Sequence, residues 1–294
     1  MTLEQLRIFV AVAEREHMTR AAQDLRLTQS ATSAAISSLE SRYATRLFDR
    51  VGRRIVLTDA GKLFLVEAKA VLAKSAAAEL VLADLAGLKV GSLNLAASQT
   101  VGNYWLPAFL QSFREIYPGI RVSLAMGNTE TVAAMVRTGE ASLGFVEGDV
   151  DQEGLSVSSI ADDEMVLIAP PDHPWCNRVG SEKLDVKSAR WVLRELGSGT
   201  RAIFTMVLKN EGISPADVDI NLVLPTNESI RAAVQAGAGV SIMSGLAVSN
   251  MLAAGQLISI KYDLPRRKFY MLSHKDRYIT AAERELVRII RERK

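Results

Sequence analysis

Thr28 is followed by one turn of short polar side chains and then by an apolar stripe, and few folds accommodate that order. Gln29, Ser30, Ala31, Thr32 and Ser33 come first, and Ala35, Ile36 and Leu39 then recur on one side. A threonine hydroxyl satisfies the free amides of a helix's first turn, so a helix is expected over residues 29–43. Before it, Leu3, Leu6, Phe9, Val10 and Ala13 lie at helical spacing, which predicts a first helix ending before His17. Thr19 is the expected cap of a short second helix with Ala21, Ala22 and Leu25 on its apolar face. Arg26-Leu27 leaves room only for a tight connection, so the order is helix, turn, helix.

A third helix with a polar start suits the major groove of a duplex, where short hydroxyls and an amide reach base edges and phosphates. Gln29 is the candidate base reader, with Ser30, Thr32 and Ser33 beside it. After this helix, Leu47 to Arg50 and Val51 to Leu57 read as two short strands around a glycine turn, a β-hairpin wing. Residues 42–54 hold Arg42, Arg46, Arg50, Arg53 and Arg54 against the single acid Asp49. Across the chain 35 basic and 33 acidic side chains nearly cancel, so it is this local excess that matches phosphate contact. Arg50, Arg53 and Arg54 are the candidates. The competing reading is a small helical interaction module whose serines are solvated surface.

Thr58-Asp59-Ala60-Gly61 caps an uninterrupted helical pattern through Leu85, with Phe64, Leu65, Ala68, Val71, Leu72, Leu82 and Leu85 on one side. A lone helix of that length leaves its stripe uncovered, so either an antiparallel partner from a second subunit or the body of the chain must cover it. The expected organisation is a winged helix-turn-helix over 1–58, a linker helix over 59–88 and an α/β domain over 89–294.

From Ser92 strand and helix alternate. Strands are expected over 93–97, 121–126, 142–146, 220–224 and 240–243, and helices over 105–117, 129–138 and 228–236. The chain crosses between lobes near Ile160 and Leu264, giving lobe I over 89–161 and 266–294 and lobe II over 162–265. Ligands of open α/β sheets sit beyond the carboxyl ends of strands, where helix starts offer free amides. Ser98, Gln99, Thr100, Asn128, Thr129 and Glu147 fall there in lobe I, and Ser198, Gly199, Thr200 and Arg201 in lobe II. Small hydroxyls, amides and an arginine around a glycine-rich turn suit a small anion. Each hydroxyl taken alone is also an ordinary helix cap, and Gly237-Ala238-Gly239 is expected to serve chain geometry only.

These segments resemble the LysR family of transcriptional regulators over essentially the whole chain. Ala21-Ala22, Leu27-Thr28-Gln29-Ser30-Ala31-Thr32-Ser33, Leu39-Glu40, Leu47-Phe48-Asp49-Arg50 and Leu57-Thr58-Asp59-Ala60-Gly61 fall on the family's amino-terminal pattern. Residues 96–104, 145–148 and 194–201 are similar to its sulfur-oxyanion and carbon-fixation branches. The resemblance implies a winged helix-turn-helix joined to a two-lobed, periplasmic-binding-protein-like effector domain. It also implies a homodimer or homotetramer, effector-dependent bending of double-stranded DNA, and contact with RNA polymerase. Carried over by position, DNA contact falls on Gln29, Ser30, Ser33, Arg50, Arg53 and Arg54. Effector contact falls on Ser98, Thr100, Asn128, Glu147, Ser198 and Thr200. Many members have arginine where Ala34 stands, so a different operator is expected.

Two rivals use the same α/β cleft. An enzyme or solute-binding protein is disfavoured, because His17, His173 and His274 lie far apart in sequence and pair with neither Ser98 nor Ser198 as base and nucleophile. No catalytic residue, metal site or cofactor is expected. A constitutive DNA-binding protein with a vestigial cleft is the other. Cys176 is the only cysteine, so an internal disulfide switch is not available, and it is read as a bystander beside Trp175. The start lacks a basic and then apolar leader, and no apolar run approaches the ~20 residues of a membrane span, so a cytoplasmic protein is expected.

Overall fold

The structure, a computed structural model, describes residues 1–51, 54–85, 91–148, 150–177 and 184–292. The chain forms two compact units, Met1–Leu85 with Thr138–Glu140, and Ala86–Arg137 with Ala141–Lys294.

In the first unit, α1 (Leu3–Arg15) starts at Thr2, whose hydroxyl accepts from the Gln5 amide while the Gln5 side chain accepts from the Thr2 amide. This reciprocal pairing satisfies two amides at the helix start. α2 (Met18–Asp24) is capped by His17 and not by Thr19: His17 Nδ1 accepts from the Arg20 amide at 3.4 Å. α3 (Gln29–Tyr43) follows, with Thr28 Oγ1 accepting from the Ala31 amide at 3.2 Å. β1 (Phe48–Val51) and β2 (Arg54–Leu57) pair antiparallel, and α4 (Asp59–Leu85) begins after Thr58, whose hydroxyl accepts from the Gly61 amide at 2.9 Å. Leu6, Phe9, Val12, Ala21, Ile36 and Leu39 form a closed apolar core, with Phe64 of α4 packed against it. The Glu40 carboxylate accepts from the Leu47 amide at 2.7 Å and the Phe48 amide at 3.2 Å, which ties α3 to the wing.

In the second unit, β3 (Gly91–Ser98) leads through a π-helical turn over Val101–Trp105 into α5 (Pro107–Ile116), β4 (Ile120–Gly127), α6 (Thr129–Thr138) and β5 (Leu143–Glu147). The helix expected over 105–117 is thus shorter, because Pro107, which has no amide to donate, takes its first position. β6 (Leu155–Asp163) and β7 (Met165–Ala169) carry the chain out of this lobe. The second lobe continues with β8 (Arg190–Arg194), α7 (Gly199–Glu211), β9 (Asp219–Leu224), α8 (Asn227–Gln235), β10 (Ser241–Ser244), α9 (Gly245–Ala253) and β11 (Ile258–Ile260). β12 (Arg267–His274) and α10 (Ala281–Glu292) return to the first lobe.

Lobe I is a five-stranded sheet in the order β4-β3-β5-β12-β6, with β3 parallel to β4 and β5, and β12 antiparallel to β5 and β6. Leu93, Leu95, Phe113, Phe145, Phe269 and Leu286 fill one of its faces. Lobe II holds the sheets β10-β7-β11 and β8-β9, over a core that includes Trp191, Leu193, Phe204 and Val207. Gly239 serves geometry, as expected: its φ is 143°, and a Cβ would fall 2.2 Å from the Arg190 carbonyl oxygen.

Candidate functional site

On α3 the exposed row is Gln29, Ser30, Ala34, Ser37, Ser38 and Ser41, and Ser33 is half-buried. Thr32 does not belong with them. It is fully buried and its hydroxyl donates to the Thr28 carbonyl oxygen at 3.1 Å, because position 32 shares the i, i+4, i+7 stripe of Ile36 and Leu39. That spacing was the signal that Thr32 faces the core. Arg42, Arg46 and Arg50 are exposed, so the basic character expected of the wing is present at its approach. Arg54 pairs through its backbone with Val51, and Arg53 lies outside the described residues.

The second candidate is the cleft between the lobes. β3 ends at Ser98 and β5 at Glu147, and Asn128 follows the end of β4 at Gly127, so three parallel strands lead polar side chains to one edge of the lobe I sheet. Lobe II mirrors this. β8 ends at Arg194 before the start of α7, and Thr226 caps α8 after β9.

Ser98, Thr100, Thr129, Glu147, Ser198 and Thr200 are all buried. The Ser98 hydroxyl donates to the Glu147 carboxylate, and Thr129 Oγ1 donates to the Glu147 carbonyl oxygen at 2.7 Å. Glu147 Oε1 lies 3.8 Å from Arg267 Nη1, and the same nitrogen donates to Thr200 Oγ1 at 3.0 Å. The backbone makes its own contact, since a Cβ on Gly199 would fall 2.1 Å from the Glu147 carbonyl oxygen. Only glycine lets the start of α7 approach lobe I this closely.

Other expected residues sit at the margin. Gln99 accepts from Asn103 at 3.2 Å on a half-exposed surface. Asn128 caps α6 by accepting from the Thr131 amide at 2.9 Å, and its Nδ2 reaches Glu195 Oε1 at 3.3 Å. Ser198 Oγ accepts from the Thr200 amide at 3.2 Å, so both serve as caps as well as wall. Arg201 lines a cavity of about 510 Å³ with Thr129, Ser198 and Gly199. Its Nη1 donates to the Arg194 carbonyl oxygen at 3.4 Å, its Nε is buried without a partner, and burial holds its guanidinium below its ordinary pKa.

Sequence reasoning missed six members of this floor. Arg267 donates through Nε to Asp163 at 2.7 Å and through Nη2 to the same oxygen, and Ser244 donates to the other Asp163 oxygen at 2.6 Å. Arg194 pairs with Glu195 through two bonds of 2.9 Å and donates to Asn227 Oδ1 at 2.9 Å, and Asn227 Nδ2 donates to Thr100 at 3.2 Å. Asn227 follows the helix-start pattern that identified Ser98 and Thr200. Arg267 and Asp163 have no such signal. Cys176 is half-buried and burial pushes its thiol up, which disfavours the reactive thiolate.

Two family models match the chain: the LysR substrate binding domain over residues 86–294, and the bacterial regulatory helix-turn-helix protein of the lysR family over residues 3–62. The HTH-type transcriptional regulator YeiE of Escherichia coli is 32% identical over 290 residues, covering 98% of this chain and 96% of YeiE. Full-length CbnR in complex with its target DNA superposes with a TM-score of 0.72 at 22% identity, covering 100% of both chains. The CcmR regulatory domain of Synechocystis, solved in complex with 2-PG, superposes with a TM-score of 0.63 at 26% identity over 69% of this chain and 96% of that one.

Proposed function

As the chain belongs to the LysR family of DNA-binding transcriptional regulators, we propose that it reads duplex DNA with α3 and the wing and is controlled by a small anion held between its two lobes. The observation that carries the second half is the buried run of contacts from Ser98 through Glu147 and Arg267 to Thr200, which joins lobe I to lobe II. A ligand seated among these groups replaces some of the direct contacts. It therefore favours one angle between the lobes over another, which is the differential affinity that coupling requires. The 2-PG held by the CcmR domain supports a small polar ligand in a domain of this fold.

Gln29, Ser30 and Ser33 are assigned to base and phosphate contact, and Arg50, Arg53 and Arg54 to phosphate. Assembly as a homodimer or homotetramer through α4 pairs two readers, and a change of lobe angle then alters their spacing. Leu63 and Leu82, 75% and 70% exposed on α4, support that pairing. Contact with RNA polymerase and a cytoplasmic location go with this reading. The cleft is assigned to binding rather than catalysis, because the Ser98 hydroxyl is donated to a carboxylate and Ser198 is used as a cap.

The test is footprinting of duplexes that the full chain selects from genomic DNA, with and without a panel of small oxyanions and carboxylates. At least one compound is expected to shift the protected boundary in the native protein and not in the Gly199→Ala variant. Identical footprints under every compound contradict control by an anion.

A further inference from the structure

Glu147 is an acidic residue in the buried floor of the cleft. It ends β5 and is 1% exposed. The guanidinium nearest to it, that of Arg267, is already matched by Asp163 through Nε and Nη2, leaving Glu147 as a second carboxylate 3.8 Å away from one cation. Arg194 is likewise engaged by Glu195. Glu147 therefore brings a negative charge into the floor of a site whose other groups attract anions: the hydroxyls of Ser98, Thr100 and Thr200, and the start of α7.

A carboxylate accepts hydrogen bonds and donates none. The single hydroxyl hydrogen of Ser98 is spent on it, so a ligand oxygen placed beside Glu147 must bring its own hydrogen. A bare oxygen there sets lone pair against lone pair and charge against charge, with both groups buried. Attraction from the dipoles and guanidinium groups is common to all small oxyanions; the carboxylate is a repulsive element aimed at one kind of them.

Resting on the effector reading above, we propose that the cleft selects oxyanions that keep an O–H at neutral pH, of the hydrogen phosphate kind, against fully deprotonated oxyanions of the same size and shape. Phosphate and sulfate differ in this respect and little else. Glu147 is the specificity-determining residue, and the ligand's hydrogen is what it reads.

The experiment is calorimetric titration of the full chain at pH 7 with potassium phosphate and with potassium sulfate at matched ionic strength. Phosphate is expected to bind on the order of tenfold or more tighter than sulfate, the cost of a buried acceptor left facing an acceptor. In Glu147→Gln, an uncharged amide that also donates, the two affinities are expected to converge to within about threefold, mainly through gain of sulfate. Native protein that binds sulfate as well as phosphate, or binds neither, overturns the proposal without recourse to the variant. So does a folded Gln variant that keeps the native preference. Should phosphate and sulfate bind alike while footprints still respond to some anion, only the proton selectivity fails. Should no anion move the footprints, the effector reading fails with it.

Discussion

Arg267 and Asp163 are cross-strand partners, the first residue of β12 opposite the last of β6, and they join through a 2.7 Å bond from Nε with both side chains buried. The two residues stand where the chain leaves lobe I and where it returns. One ion pair thus sits at both crossings and touches both lobes, through Glu147 on one side and Thr200 and Ser244 on the other.

Replacing Arg267 by methionine strands Asp163 as a buried charge, and the second unit is expected to lose about 3–5 kcal/mol of stability. Adding Asp163→Leu removes the stranded charge, so the double variant should be less destabilised than the sum of the two single changes. Urea unfolding followed by tryptophan fluorescence reads this directly, since Trp105, Trp175 and Trp191 all lie in the second unit. Strict additivity contradicts the pairing.

Gly199→Ala places a methyl group where the Glu147 carbonyl oxygen lies 2.1 Å away, so the start of α7 must withdraw from lobe I. The variant is expected to keep DNA binding and to lose its response to anions, with phosphate affinity down by roughly tenfold or more, as befits a ligand held from both sides. A variant that responds like the native protein shows that the lobes do not need this approach.

Arg50 stands exposed on β1, and phosphate contact from it carries no sequence information. Arg50→Ala should weaken binding about equally on selected and scrambled duplexes and reduce the slope of log affinity against log salt by about 1. An unchanged slope removes Arg50 from the interface.

Tyr262 donates to Glu211 at 3.0 Å, and burial first, then this carboxylate, push its phenol up to about 12. A group raised in the folded state contributes stability that is intact below its unfolded value near 10 and is lost as pH climbs toward 12. Burial also raises the phenols of Tyr104 and Tyr117, so ultraviolet titration of tyrosinate should show several late steps, of which Tyr262→Phe removes the one at about 12. Its persistence in the variant assigns the step elsewhere.

How much of this could be read from the residues follows from how local each determinant is. Thr28 sets the start of α3 because its own hydroxyl meets an amide three residues on, and for similar local reasons the ends of α6 were legible and those of β5 fell one residue later than expected. The buried floor was legible only in part. Ser98, Thr100, Glu147 and Thr200 follow strands or open helices, which is a pattern; Arg267 and Asp163 find each other across 104 positions, which is not. Thr32 shows the opposite failure, where residue type outweighed a helical spacing that placed it inside. His17 took the role assigned to Thr19 because the connection after α1 is two residues tighter than the threonine pattern implied.

The measurement that bears most directly on DNA reading by α3 is a fluorescence anisotropy titration of native protein and Gln29→Ala on a selected duplex and on a scrambled one at fixed salt. If Gln29 reads a base, the variant loses about 1–3 kcal/mol on the selected duplex and little on the scrambled one, so their affinities draw together. Equal losses on both duplexes, or none on either, contradict the assignment of α3 as the recognition helix's reading edge.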